Sequence, residues 1–438
     1  MTICTPTTLE FPSVKRRRVQ AAFDGGPITS DGGVLLLGQV DRQLGLTRAM
    51  SRVLDDPRAP GRCTHALLTL LRQRIYGLAL GYEDQNDHQA LRSDPALQTA
   101  VGCDAPLAGQ STLSRWENRA DRAAAWAVHR VLVDQFIAGF KTPPRELILD
   151  LDATDDRVHG AQQGRHFNAY YDDYIFLPLY VFCGERLLAA YLRPANRGQA
   201  HHASAIVRLL VTRLRQAFPQ TRIILRADSG FMRPRLLNWC ERQGVGYLLG
   251  MPTNSRLRAL AQPFLDQARA QFEATGGKSR VLALLEDYGA HHWPYARLIV
   301  VRAEVGPQGE DARFVVTNLH DAARVLYEDL YCARGEMENR IKEQQLDLFA
   351  DRTSCTAWWA NQWRVLLSAA AYVLIEGMRR LALAGTQLAR ATCGTIRLRL
   401  FKIGAVVLRN TRRVRLMLSG ACPWQREFAQ AARALGAG

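Results

Sequence analysis

Between residues 147 and 251 the spacing of apolar residues identifies a series of strands and helices. The order of these elements along the chain restricts the possible folds. ELILDLD alternates as a strand does. Two more predicted strands, Tyr174–Cys183 and Arg186–Arg193, are separated by Gly184-Glu185, a hairpin spacing. A helix, a strand ending at Asp228, a second helix and a fifth strand follow. Antiparallel hairpins followed by βαβ crossovers predict an α/β fold with a mixed five-stranded sheet and flanking helices.

The segments on either side follow other patterns. Apolar residues are mostly at helical spacing before KTPPRE, whereas residues 252–330 contain three strand-like runs separated by glycine-rich turns. A long helical pattern comes next, with one apolar stripe through Leu326, Leu330, Ala333, Met337 and Ile341. The predicted regions are a helical N-terminal region (1–140), a sheet core (141–251), a β-rich insertion (252–330), the return to the core through the long helix (331–385) and a basic C-terminal region (386–438).

Three acidic residues fall where this scaffold can bring them together. Asp152 ends the first strand, Asp228 ends the fourth, and Glu338 lies on the long helix. Sites in open α/β sheets form beyond the carboxyl ends of strands, where the strand order reverses. Two aspartates and a glutamate supply the oxygen ligands of two Mg²⁺ or Mn²⁺ ions, which stabilise the attacking and leaving oxygens of a phosphodiester. Each carboxylate alone is also typical of a turn, a cap or a surface helix, and Asp150 is a rival to Asp152.

The long helix also carries a continuous polar face. Its members recur every three or four residues beside the apolar stripe, which places them on one side of a helix. Tyrosine, arginine and lysine around a glutamate suit a grip on phosphate beside a metal ligand. The residues of this face are Tyr331, Arg334, Glu338, Lys342 and Gln345.

The charge of the chain favours a polyanionic partner. Its 438 residues carry a formal charge of +16. Between Arg379 and the C-terminus there are twelve Arg or Lys residues and one acidic residue, Glu427. A second basic cluster, VKRRRV, includes Arg16, Arg17 and Arg18. One such cluster is also typical of a solvated face, but two at opposite ends favour nucleic acid.

Other features exclude some classes of protein. No apolar run reaches about 18 residues, which predicts no membrane span. Nine scattered cysteines without a CxxC pair argue against a zinc ribbon and for reduced thiols in a cytoplasm. The segment STLSRWEN fits the recognition helix of a helix-turn-helix and an ordinary bundle helix equally well.

With these features, the sequence resembles the DDE transposases of bacterial insertion sequences. LDLDATDD, ILRADSGF and YCARGEMENRIKEQ stand in the order and context of that family's three acidic motifs. The sequence pattern DATDD…HG…FNAYYDDYIFLPLYVF…RADSGF resembles in particular the branch of insertion sequences numbered 1380. The opening FDGGPITSDGGVLLL and the segment QSTLSRWEN extend the resemblance over nearly the whole chain.

The resemblance implies an RNase H-like core interrupted by a β insertion before the glutamate helix. It also implies that Asp152, Asp228 and Glu338 are catalytic and bind two Mg²⁺ ions, which Mn²⁺ can replace. The related Tyr-x2-Arg-x3-Glu-x6-Lys motif is met at Tyr331, Arg334 and Glu338 but has Gln345 at its last position. Lys342, one turn earlier, is the expected substitute for a phosphate contact.

The resemblance further implies a DNA-stacking tryptophan in the insertion. Trp293 is the candidate, although a strand aromatic in the insertion's own core fits as well. The pairs His201-His202 and His291-His292 are expected to be structural or DNA-facing, because adjacent side chains point apart.

The expected activity is metal-dependent cleavage of the element's ends at terminal inverted repeats and transfer of the 3′-OH strands into target DNA. Helices in the N-terminal region and the basic arm with Arg16, Arg17 and Arg18 would bind the DNA. Two ends held together favour a homodimer in a synaptic complex, associated with a bacterial nucleoid and no membrane. The alternatives are a non-catalytic DNA-binding protein or decayed transposase, and an RNase H-like nuclease without strand transfer.

Overall fold

The computed structural model describes residues 8–437, in which sixteen strands form four sheets. The chain divides into two units: one comprises the residues up to Trp116 and from Leu374 onward, and the other is Glu117–Val373. The strands are β1 (Leu9–Val14), β2 (Arg17–Ala21), β3 (Ile28–Thr29), β4 (Glu146–Ala153), β5 (Asp156–Arg157), β6 (His166–Asn168), β7 (Asp173–Phe176), β8 (Leu179–Cys183), β9 (Arg186–Tyr191), β10 (Arg222–Ala227), β11 (Gly246–Met251), β12 (Ser279–Tyr288), β13 (Arg297–Gly306), β14 (Gly309–Thr317), β15 (Ala405–Arg409) and β16 (Val414–Leu418).

The helices connect these strands and cover the sheets. None of the described helices is both long and apolar enough to cross a membrane. The α-helices are α1 (Val34–Leu44), α2 (Leu46–Val53), α3 (Leu67–Leu80), α4 (His88–Leu91), α5 (Pro95–Val101), α6 (Gln110–Glu117), α7 (Arg122–Ala138), α8 (Ala203–Ala217), α9 (Pro234–Arg242), α10 (Ser255–Thr275), α11 (Gly335–Lys342), α12 (Trp358–Ala382), α13 (Cys393–Ile396) and α14 (Gln425–Ala434).

The central sheet has eight strands in the order β12-β13-β14-β11-β10-β4-β8-β9. The five strands predicted from the sequence are β11, β10, β4, β8 and β9, with β4, β10 and β11 parallel and the hairpin partner β8 antiparallel. The prediction of a five-stranded sheet is wrong in its count, because β14 pairs with β11 over Leu248–Met251 and Phe314–Thr317. The insertion therefore extends the sheet past β11 and satisfies the hydrogen bonds of an edge that would otherwise be open.

Two apolar layers cover the faces of this sheet. On one face, α7, α8, α9 and the start of α10 pack on Leu149, Leu225 and Leu249. On the other face, Leu326 and Tyr327 pack against Ile224, Leu248 and Val315. The segment that carries Glu338 thus begins on the face opposite α8 and α9.

That segment is helical but not a regular α-helix. It runs as a π-helix (Val325–Tyr331), a 3₁₀ turn (Cys332–Arg334), α11 and a second π-helix (Glu343–Asp347). The changes in pitch rotate the apolar stripe that the sequence predicts, so Ala333 is exposed while Met337 and Ile341 remain buried. The prediction of a single uniform stripe is wrong at Ala333.

A small sheet of order β5-β7-β6 stands beside the central one. The sequence predicts one strand over Tyr174–Cys183, whereas Leu177 and Pro178 separate β7 in the small sheet from β8 in the central sheet. Proline cannot donate a ladder hydrogen bond, which accounts for the break at this point.

The other unit contains more helix than strand and begins with the strands β1, β2 and β3. β1 and β2 form a hairpin whose two-residue turn is Lys15-Arg16, with Lys15 in the left-handed region at φ 56°. Farther along, β3, β15 and β16 form a three-stranded sheet. No disulfide links the cysteines that lie within residues 8–437.

Candidate catalytic site

Asp152 and Asp228 lie side by side at the carboxyl ends of two neighbouring parallel strands. Leu151 on β4 faces Ala227 on β10, and each aspartate is the next residue along its strand. The Oδ1 atom of Asp152 accepts a hydrogen bond from the amide of Ala153 at 2.9 Å. The Oδ1 atom of Asp228 accepts one from the amide of Gly230, also at 2.9 Å, at the start of a 3₁₀ turn. The register therefore fixes both carboxylates at one edge of the sheet.

Arg334 connects this edge to the glutamate helix. Its Nη1 donates to Asp152 Oδ2 at 2.9 Å and its Nη2 donates to Glu338 Oε1 at 3.0 Å. Asp152 is largely buried, whereas the Glu338 side chain is 49% exposed. A single guanidinium thus binds two of the three predicted metal ligands.

The pKa of Asp152 lies above the ordinary value of an aspartate, chiefly because its carboxylate is buried. The value of about 6 is the net result of three main effects: burial raises the pKa most, the charge of Arg334 lowers it, and the nearby charge of Asp228 raises it. A carboxylate that is hard to ionise in the metal-free chain indicates an electrostatic environment that favours an additional cation.

Tyr331 and Gly250 bring β11 close to the Asp228 turn. A methyl group on Gly250 would lie 2.7 Å from the Tyr331 hydroxyl oxygen and 2.8 Å from the amide nitrogen of Ser229. Burial raises the pKa of Tyr331, whose hydroxyl therefore stays protonated at neutral pH. Only a residue without a side chain leaves room for the tyrosine beside the aspartate turn.

Asp150, the rival to Asp152, has a different set of partners. Its two oxygens accept hydrogen bonds from Nε and Nη2 of Arg226, at 2.5 and 2.7 Å, within the sheet. Arg226 also donates to the carbonyl oxygen of Leu330. Asp150 is 3% exposed, and both of its carboxylate oxygens are engaged by Arg226. This buried pair connects β4 and β10 to the segment before Arg334.

The two later aspartates of the same motif are also engaged in local structure. Thr353 donates to the buried carboxylate of Asp156 at 3.0 and 2.9 Å, and burial raises the pKa of Asp156. The carbonyl oxygen of Asp155 accepts a hydrogen bond from Gln345 Nε2 at 2.8 Å, and Thr154 Oγ1 donates to Gln345 Oε1 at 3.3 Å. Gln345 therefore fastens the turn after Asp152 to the glutamate helix.

The sequence places Gln345 on the polar face of the glutamate helix and shows it as a departure from a lysine motif, but it does not predict the contacts with Thr154 and Asp155. The position of Gln345 on the same helical face as Glu338 is the signal that could have revealed these contacts. The side chain of Lys342 is exposed on that helix. A phosphate contact by Lys342 stays a prediction.

Trp293 does not lie near the carboxylates. Leu298 on β13 is level with Leu248 on β11 through their common partner Thr317, so the turn before β13 lies beyond the amino end of β11. The tryptophan is half-buried, with the Tyr288 ring 5.8 Å away and the Arg297 guanidinium 4.7 Å from its centroid. These partners explain its position as packing, and its contact with DNA stays a prediction.

The donor atoms at the sheet edge fit a hard divalent cation, although the side chains do not converge on one point. Within residues 8–437 no three His, Cys, Asp or Glu side chains are grouped closely enough to hold an ion. His201 and His202 stack on each other with centroids 3.8 Å apart, and His291 and His292 are exposed. Carboxylate oxygens suit Mg²⁺ and Mn²⁺, whereas the histidine pairs offer no such set.

Comparison with known proteins places the chain in a transposase family. Residues 11–437 match the family described as "Transposase DDE domain group 1", and the chain belongs to that family. DDE transposases generally use divalent metal ions. The expectation of a transposase is thus confirmed at the level of the family.

The chain is also similar to a solved structure described as "Cryo-EM structure of piggyBac transposase synaptic complex with hairpin DNA (SNHP)". The TM-score is 0.43 at 10% identity, and the similarity covers 85% of this chain and 79% of that chain. No curated protein matches the sequence.

Proposed function

We propose that this transposase cuts DNA at the ends of its own element and joins the resulting 3′-OH ends to target DNA. The observation that carries the proposal is the side-by-side position of Asp152 and Asp228, one residue beyond the facing pair Leu151 and Ala227. The Arg334 bridge to Glu338 supplies the third carboxylate of the predicted set. Membership of the transposase family favours DNA as the substrate.

Asp152, Asp228 and Glu338 would hold two Mg²⁺ ions, which Mn²⁺ can replace. Such ions stabilise the attacking and leaving oxygens of a phosphodiester. The raised pKa of Asp152 supports this assignment, because a bound cation offsets the cost of burying its charge. Glu338 is half exposed, so it can exchange its contact with Arg334 for another cation.

Arg334 has two roles in this proposal. In the metal-free chain its guanidinium neutralises part of the charge on Asp152 and Glu338. Once other cations replace it there, its planar donors are available to a phosphate. Tyr331 supports the same site with a protonated hydroxyl beside the Asp228 turn, a donor suited to a phosphate oxygen.

The remaining parts of the proposal concern the scaffold and the DNA. The parallel order β11-β10-β4 with antiparallel β8 supports an RNase H-like core. The exposed hairpin turn around Arg16, Arg17 and Arg18 suits non-specific contacts with phosphates. Two ends held together would make the active form a homodimer.

The test is cleavage of a plasmid that carries the DNA flanking the gene, with Mg²⁺ and with chelator. Asp152→Asn, Asp228→Asn and Glu338→Gln should each lower the cleavage rate at least a hundredfold while DNA binding persists. Asp155→Asn is the matched control, because its backbone carbonyl rather than its side chain holds Gln345. Equal cleavage by Asp228→Asn and the parent would refute the metal assignment.

Two further outcomes separate the alternatives. Binding without cleavage under every condition would indicate a DNA-binding protein or a decayed transposase. Cleavage without joining of pre-cut ends to a target plasmid would indicate a nuclease. The proposal requires both reactions and requires that the same three substitutions abolish them.

A further inference from the structure

The small sheet β5-β7-β6, which follows Asp152 in the chain, presents aromatic rings to solvent. Tyr170 is 88% exposed, Phe167 50% and Tyr174 45%. Large apolar side chains exposed together mark a binding surface more often than isolated ones do. All three lie on β6, β7 or the loop between these strands, residues 169–172.

The rings of this surface are arranged in contact with one another. Tyr170 and Tyr171 meet edge to face with centroids 4.9 Å apart, and Phe167 and Tyr174 do so at 5.6 Å. The guanidinium of Arg165 lies 4.7 Å from the centroid of Tyr174. The surface therefore combines flat apolar rings with a cation, the pairing used to bind single-stranded nucleic acid.

The loop that carries Tyr170 is held by specific hydrogen bonds. Asn168 Oδ1 accepts from the amide of Tyr170 at 3.0 Å, and the Asn168 carbonyl oxygen accepts from the amide of Tyr171 at 3.2 Å. Asn168 Nδ2 donates to the carbonyl oxygen of Ala195 at 3.3 Å. Asp172 completes the turn with a left-handed backbone at φ 51°. Such bonds order the loop before a ligand arrives, which lowers the entropy cost of binding.

Tyr171 connects this surface to the catalytic carboxylates. It packs on the apolar cluster of Ile175, Leu177 and Ala195 together with Ala153, the residue that follows Asp152. Burial raises the pKa of Tyr171, and the charges of several carboxylates, Asp152 and Asp228 among them, raise it further. The exposed ring of Tyr170 therefore lies next to a side chain that is within electrostatic reach of the site.

We propose that Tyr170 and its neighbouring rings stack on an unpaired nucleobase of the DNA strand held at Asp152 and Asp228. This inference rests on the proposed function. A base inside a duplex can stack on an aromatic face only after it leaves the duplex, and 88% exposure leaves the Tyr170 ring open to it. Arg165 provides a positive charge for the adjoining phosphate. Trp293, by contrast, is already in contact with Tyr288 and Arg297.

The test uses a 20-base-pair duplex with a five-nucleotide single-stranded overhang that contains 2-aminopurine, and a blunt duplex of the same sequence. Binding is measured in chelator, so that no cleavage occurs. Tyr170→Ala should weaken binding of the overhang duplex about five- to a hundredfold and abolish quenching of the 2-aminopurine fluorescence. Tyr170→Phe should retain both properties, because it keeps the ring.

The controls separate stacking from general loss of structure or charge. Trp126→Ala removes another exposed aromatic side chain, 48% accessible on α7, and should leave binding of the overhang unchanged. Equal weakening on blunt and overhang duplexes would overturn the inference, as would unchanged quenching in Tyr170→Ala. A shift in subunit association without any effect on the overhang would point to a protein contact and also overturn it.

Cleavage by the parent protein in Mg²⁺ distinguishes failure of the stacking proposal from failure of the proposed function. Metal-dependent cleavage without loss of overhang binding in Tyr170→Ala would refute the stacking surface alone. Loss of overhang binding in Tyr170→Ala, with no cleavage by the parent in Mg²⁺, would refute the cleavage proposal and support the surface.

Discussion

Asp152 and Asp228 occupy equivalent positions on neighbouring parallel strands, each one residue beyond the facing pair Leu151 and Ala227. Their closeness follows from strand register and does not depend on a flexible loop. The Arg334 bridge then joins Asp152 to Glu338 on a separate helix.

The buried pair of Asp150 and Arg226 should contribute stability. Asp150→Ala leaves the Arg226 guanidinium buried without its carboxylate, so we expect a loss of about 3–5 kcal/mol in the free energy of unfolding. Urea denaturation in chelator measures this. Asp155→Ala, which removes a partly exposed carboxylate two residues beyond β4, should cost less than about 1 kcal/mol. A small effect of Asp150→Ala with loss of metal binding would return Asp150 to the role given to Asp152.

Asp152 should lower the stability of the metal-free protein at neutral pH. Its folded-state pKa of about 6 exceeds the ordinary value of 3.8, so the folded state holds the proton more tightly than the unfolded state does. The stability that the protonated group contributes is present below about pH 4 and is lost as the pH rises through 6. In chelator at pH 8, Asp152→Asn should therefore be more stable than the parent by about 1–3 kcal/mol.

Thermal unfolding at several pH values checks this expectation. The difference between Asp152→Asn and the parent should shrink towards zero below pH 4. Added Mg²⁺ should stabilise the parent more than the variant. A difference that does not change with pH would mean that the Asp152 carboxylate is not the source.

Gly250→Ala should disturb the site through packing. The new methyl group meets the Tyr331 hydroxyl and the amide of Ser229, so we expect a loss of about 1–3 kcal/mol in stability and at least a tenfold loss in cleavage rate. Adding Tyr331→Phe removes one of these contacts and should recover part of the stability. Gly289→Ala is the control, because nothing lies within 4 Å of its added Cβ. Additive losses in the double variant would exclude the contact with Tyr331.

The basic hairpin should contribute to DNA binding through counterion release. The logarithm of the binding constant should fall linearly with the logarithm of the salt concentration. Each phosphate that the protein contacts contributes about 0.9 to the magnitude of this slope. Replacing Arg16, Arg17 and Arg18 by alanine should reduce the slope by up to about 3. Fluorescence anisotropy with a labelled duplex at several salt concentrations measures it. An unchanged slope would mean that this turn does not contact the DNA.

The sequence predicts the strands around the site well because local patterns determine them. Alternation and the hairpin at Gly184 identify β4, β8 and β9, and the order of elements places β4 beside β10. Pairing of β14 with β11 is not predictable in the same way, since no local pattern selects the edge that the strands of the insertion join. This contact turns the expected separate insertion into part of the central sheet.

Side-chain roles were harder to predict than elements. Asp150 and Asp152 lie on one strand face. Only the structure shows that Asp150 pairs with Arg226 and that Asp152 pairs with Arg334. The predicted apolar stripe also assumes a constant helical pitch, which the π-helical and 3₁₀ segments before Glu338 do not keep. Changes of pitch depend on packing against the sheet, which spacing alone does not report.

The most direct test of the central claim is Mn²⁺ binding to the metal-free protein, measured by electron paramagnetic resonance. Asp152, Asp228 and Glu338 should each be required, so Asp152→Asn, Asp228→Asn and Glu338→Gln should lower the affinity at least tenfold. Asp155→Asn should change it less than threefold. Mn²⁺ affinity in Asp228→Asn equal to that of the parent would contradict the assignment of these carboxylates as the metal site.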